Sequence, residues 1–113
     1  MSRDRFIVWR KEERPTRTVI AHLLTEFFGE GFPVSWEEDS GRWVITVPGS
    51  PCPIVAGRPS PYREDRFIEA IPTKCFCDFS VLTRQADPLV NAIADGLAEY
   101  LRFRTGGKLD MGG

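Results

Sequence analysis

The sequence predicts an α+β fold, an antiparallel sheet of about four to six strands with two helices on one face. Three observations predict it. Two segments, one towards each end of the chain, carry apolar residues at three- and four-residue steps. Between them lie short runs of β-branched and aromatic residues that alternate with polar ones. Gly, Pro, Asp and Ser clusters separate these runs. The 113 residues suit a single domain spanning 1–113. A chain of this length buries roughly two thirds of the surface it exposes when unfolded, enough for a core without staples.

Residues 6–10 are a short apolar run of strand formers, broken by the polar stretch that holds Pro15. From Thr16, a plausible N-cap, the period changes: Val19, Ile20, Leu23, Leu24, Phe27 and Phe28 form the stripe of an amphipathic helix, stopped by Gly29 and Gly31. Residues 33–38 and 42–47 read as a β-hairpin joined by the turn Glu38-Asp39-Ser40-Gly41. Residues 54–56 read as a short edge strand, because flanking prolines discourage a central place. Residues 57–64 read as an exposed loop, and a strand resumes at 67–71. Residues 74–84 form the clearest strand, with Cys75, Cys77, Phe79 and Val81 on one side.

Asp87-Pro88 is a strong helix start, with Asp as N-cap and Pro in the first turn. Leu89, Val90, Ile93, Leu97, Tyr100 and Leu101 form its expected buried stripe, and Asn91, Asp95, Glu99 and Arg102 lie away from it. Gly106-Gly107 stops the helix, and residues 108–111 read as a final short strand. One way to connect these elements is a ferredoxin-like order with extra strands.

Net charge is −1, from 15 basic and 16 acidic residues. Nucleic-acid binders usually carry a basic excess, so no nucleic-acid partner is expected. No stretch has the length of a membrane span, so no membrane partner is expected either. An odd number of cysteines (Cys52, Cys75 and Cys77) without a signal peptide argues against a secreted disulfide framework and for a cytoplasmic location.

Candidate chemistry is sparse. Cys75 and Cys77 share a strand face and, with Cys52 and the single histidine, His22, have the donor types of a zinc site. Their spacing lacks the usual zinc-knuckle spacer, and cysteines in register with Phe79 and Val81 pack as small hydrophobes. His22 stands one helical turn from Glu26, where the two can pair. Gly29-Glu30-Gly31 and Gly106-Gly107 follow helices instead of preceding them, so neither is a phosphate cradle. No catalytic residue, metal site or cofactor is assigned.

The strands carry more apolar side chains than two helices shelter on one sheet face. Phe6 and Val8 oppose Ile7 and Trp9 on the first strand, and Trp43, Ile45 and Val47 oppose Val44 and Thr46 on the hairpin return, while Phe76 and Leu82 sit on an otherwise polar side. The expectation is an aromatic–aliphatic patch that meets another protein or a second copy of this chain. The alternative is that residues 48–66 fold across it. Trp9, Trp36, Trp43 and Tyr62 are the expected partner-binding residues, with Glu37, Glu38 and Asp39 suited to a basic partner.

The C-terminal quarter carries one resemblance. Asp87-Pro88 opening a Leu/Ala-rich helix, followed by Gly106-Gly107-Lys108-Leu109-Asp110-Met111-Gly112-Gly113, is similar to the tails of small bacterial proteins of unknown function, some of them suspected immunity proteins of polymorphic toxin systems. The resemblance implies a non-enzymatic protein-binding module that masks a partner, and no residue roles. The alternatives are a small enzyme or metal-binding protein using His22, Cys75 and Cys77, and a homodimeric protein.

Overall fold

The computed structural model describes residues 3–57, 79–84 and 87–110. In chain order the elements are β1 (Arg3–Val8), a 3₁₀ turn (Lys11–Glu13), α1 (Arg17–Phe28), β2 (Val34–Glu37), β3 (Arg42–Ile45), β4 (Ile54–Gly57), β5 (Phe79–Thr83), α2 (Pro88–Thr105) and β6 (Lys108–Asp110). Among the described residues the strands form one six-stranded antiparallel sheet in the order β2-β3-β4-β5-β1-β6. The fold is α+β, as the sequence predicts. Among the described residues its order is that of a ferredoxin-like βαββαβ unit with two more strands between the helices.

Helix boundaries follow from local chemistry. The Thr16 hydroxyl accepts the Val19 N–H at 3.2 Å, and the Asp87 carboxylate accepts the Val90 N–H at 2.9 Å. At the far end of α2, Gly106 adopts a left-handed conformation with φ 76° and donates its N–H to Arg102 O. Gly107 answers a different need. A Cβ there would stand 2.7 Å from Ile7 Cγ2 and 2.8 Å from Trp9 Nε1, so only glycine lets the chain pass this close to β1.

β4 corrects the expectation of an edge strand. It lies between β3 and β5 and pairs along its whole length with both. Pro51 and Pro53 end just before Ile54, so all four strand residues keep an N–H for the ladders. The predicted strand at 67–71, and the 74–78 part of the strand predicted over 74–84, lie outside the described residues.

Register places one set of side chains towards the helices: Arg5 and Ile7 of β1, Trp43 and Ile45 of β3, Ile54 and Ala56 of β4, Phe79, Val81 and Thr83 of β5. With Ile20, Leu23 and Leu24 of α1 and Val90, Ala94, Leu97, Ala98 and Leu101 of α2, the apolar members make one core cluster. The opposite face carries Phe6, Val44, Val55 and Leu82, all half-buried, and the exposed Val8. No helix among the described residues is long and apolar enough to cross a membrane.

Candidate functional site

The tryptophans expected at a surface belong to the helix-covered face. Trp9 is 4% exposed and Trp43 3%, which withdraws both from any contact with a partner. Alternation decides this: Trp9 follows Arg5 and Ile7 on the inward side, and Trp43 pairs with Ala56 on the inward side of β4. Trp9 meets Phe79 edge-on at 5.8 Å, and its indole N–H donates to Thr105 Oγ1 at 2.6 Å. Trp36, on the edge strand β2, is half-buried. It packs edge-on against Trp43 at 4.7 Å, with the Arg17 guanidinium 4.8 Å from its ring centroid. Glu37, Glu38 and Asp39 are exposed at the hairpin turn. Tyr62, Cys75 and Cys77 lie outside the described residues, and Cys52 is half-buried against the core.

His22 faces solvent, its side chain 71% exposed, with Nε2 3.3 Å from Glu26 Oε1. Among the described residues no three His, Cys, Asp or Glu side chains gather as metal ligands. Glu26 is the hub of a small surface cluster between the helices. Its Oε2 accepts from Tyr100 Oη at 2.8 Å and from Arg104 Nη1 at 2.8 Å, and Arg104 Nη1 also donates to Tyr100 Oη at 2.7 Å. The Tyr100 hydroxyl, and then Arg104, hold the Glu26 carboxyl below its ordinary value, while the bond to Glu26 raises the Tyr100 phenol above its own.

The signs set a pH window. Glu26, depressed in the fold, contributes stability above its ordinary value of 4.5 and loses it as pH falls through its lower folded value. Tyr100, raised in the fold, contributes below its ordinary value of 10.0 and loses this as pH rises through its higher one. In Glu26→Gln the fall in melting temperature below pH 4.5 should therefore be shallower than in the parent. Parallel acid limbs in the two proteins would remove Glu26 from this role.

The sequence reading missed a buried polar network. Arg5 is fully buried. Its Nε donates to Asp95 Oδ1 in an ion pair, Nη1 to Thr83 Oγ1 at 3.3 Å, and Nη2 to both Asn91 O and Asn91 Oδ1 at 3.2 Å. Thr83 Oγ1 in turn donates to Asn91 Oδ1 at 2.7 Å. The network ties β1, β5 and α2 together. It also corrects the expected phase of α2, since Asn91 and Asp95 reach inward. The signals were Arg5 in step with Ile7, and Asn91 and Asp95 one helical turn apart. Arg5 is sealed inside, and through it the network fastens α2 to the sheet.

The same phase correction turns Leu89 outward. Leu89 is 65% exposed and Phe103 76%, far more than the other large apolar side chains left exposed among the described residues, Val8 and Val19. With Ala92, Gly96 and Glu99 they share the outer face of α2, because these positions fall within about 80° of one another at 100° per residue. Phe27 of α1 leans against this face, its ring tilted on Tyr100 at 5.3 Å and its ζ carbon 3.5 Å from where a Gly96 Cβ would stand. The fold thus offers a helical ridge with one large apolar side chain near each end and small residues between. Compared with protein-family models, curated proteins and solved structures, the chain matches none.

Proposed function

We propose that this chain is a non-enzymatic protein-binding module of the cytoplasm, and that it docks through the outer face of α2. The exposure of Leu89 and Phe103 on one side of a well-capped helix carries the reading. Isolated apolar side chains are common on surfaces, but a phenylalanine three-quarters exposed on a rigid helix, aligned with a leucine, is the anchor geometry of helix-mediated recognition. The three carboxylates of Glu37, Glu38 and Asp39, exposed at the far hairpin, favour a second surface for a basic partner. That surface suits an immunity protein that masks a toxin.

The test is recovery of the tagged protein from its host, with Phe103→Glu beside the parent. The parent should bring down a stoichiometric partner, another protein or a second copy of itself. The variant should lose it at least tenfold while keeping its helical circular dichroism, since losing one apolar anchor costs about 1.4 kcal/mol or more of binding. Retention of every partner by a folded Phe103→Glu protein rules out the α2 face. Loss of a partner only on replacing Glu37, Glu38 and Asp39 by Gln or Asn transfers docking to the hairpin turn.

A further inference from the structure

We propose that β2, the last strand of the sheet, receives a basic extended segment of another protein as an added antiparallel strand; this rests on the reading of Glu37, Glu38 and Asp39 as a surface for a basic partner and does not involve α2. The backbone phase of β2 sets the geometry. The Thr46 N–H donates to Pro33 O at 2.9 Å, so residues 33 and 46 turn their backbone groups towards each other. The register Ser35↔Val44 and Glu37↔Arg42 continues the same alternation. Val34 and Trp36 therefore turn N–H and C=O away from β3, towards the edge of the sheet. An extended chain laid along that edge meets a donor and an acceptor at every second residue, which is the recognition mode of strand addition.

Charge states what kind of chain fits there. Residues 29–41, which hold β2 and both its flanks, contain Glu30, Glu37, Glu38 and Asp39 and no lysine or arginine. All four acids are exposed, and among the described residues no ion pair engages them. A second copy of this edge would set acids beside acids, whereas a chain carrying Lys or Arg brings the missing sign. Side chains on an added strand follow the pleat of β2. Val34 and Trp36, half-buried, lie on the helix-covered side, and Ser35 and Glu37, exposed, on the other. The matching segment therefore alternates apolar residues, opposite Val34 and Trp36, with basic ones, opposite Ser35 and Glu37. The strand at the other end of the sheet, β6, is three residues long and sets Lys108 beside Asp110 on one side, so it carries no such charge preference.

The probe is a blocked peptide alternating Lys and Val over about seven residues, an ordinary strand length, added to the isotope-labelled full chain at low salt. Binding is read from amide chemical shifts. It should slow hydrogen exchange at Val34 and leave Ser35, which already faces β3, unchanged. Methylating the peptide's Val nitrogens removes the donors that face β2 and should weaken binding at least about tenfold. Methylating its Lys nitrogens, which face away, should leave binding nearly unchanged. A peptide with Glu in place of Lys should not bind, and the variant Glu37→Gln/Glu38→Gln/Asp39→Asn should hold the Lys peptide about fivefold more weakly or worse. Val34→Pro removes an edge N–H without touching the ladder to β3 and should match the loss seen on Val methylation. If that variant loses its native spectrum, the methylated peptides on the parent chain decide the matter.

Equal binding of the Lys and Glu peptides, or binding of neither, overturns both the added strand and the surface for a basic partner. A Lys peptide that depends on the three carboxylates but ignores Val methylation, with exchange at Val34 unchanged, overturns strand addition and leaves that surface standing. Slowed exchange at Val34 in the concentrated parent chain alone, with a doubled sedimenting mass, overturns the basic partner and makes a second copy the occupant.

Discussion

Trp43→Ala is expected to cost the fold about 3–5 kcal/mol, and Trp36→Ala about 1–2 kcal/mol. The two residues face each other across β2 and β3, so strand propensity and register are shared. Their environments differ. Trp43 is sealed between the Trp36 ring at 4.7 Å and the Phe79 ring at 6.2 Å, and its neighbour on β4 is Ala56, which is too small to fill the space a missing indole leaves. The cavity persists, and its lining loses dispersion contacts as well as burial. Trp36 sits on the last strand of the sheet and is half-buried, so water and neighbouring side chains relax into its place. Urea unfolding of both variants measures the difference. Since a domain this size is stable by about 5–15 kcal/mol, Trp43→Ala should be partly unfolded at modest temperatures. Equal losses would mean the two indoles are equally enclosed, contrary to their burial.

Asp95→Ala should be nearly as damaging, at about 3–5 kcal/mol. The Asp95 side chain is itself 32% exposed, so a surface pair would predict a small effect. What matters is the partner. The Arg5 guanidinium is wholly inside, and removing the carboxylate that pairs with its Nε withdraws a counter-ion from a buried charge in a poorly polarisable setting. Desolvation, not lost attraction, dominates. The double variant Arg5→Met/Asp95→Leu should therefore be more stable than Asp95→Ala alone, because it removes the charge together with its counter-ion. Chemical denaturation of the three proteins decides this, and a double variant weaker than the single one would contradict the desolvation account.

The parts of this fold that sequence makes legible are those with local causes. Thr16, Asp87 and Gly106 mark helix ends because their side chains or their backbone freedom act within one turn. The hairpin of β2 and β3 announces itself through Glu38-Asp39-Ser40-Gly41. The misreadings have non-local causes. The central place of β4 depends on what pairs with it from both sides, which two nearby prolines do not reveal. The phase of α2 is set by Arg5, a residue ninety positions from Asp95, which draws Asn91 and Asp95 inward and rolls Leu89 out. A count of apolar strand residues implied a greasy surplus, but it did not tell which face would hold the tryptophans. The candidate surface itself, Leu89 with Phe103, is hidden in the sequence because periodicity alone assigns Leu89 to the core.

The pairing of β1 also has a consequence for biosynthesis. The strand is synthesised before both its neighbours, residues 79–83 and 108–110. Until then Ile7 lacks the β-ladders that flank it, whereas β2, β3 and β4 can already pair with one another. Such long-distance closure places refolding in the millisecond-to-second range typical of sheet-rich domains. It also leaves β1 an unpaired extended stretch, of the kind chaperones shield, until its partners are made.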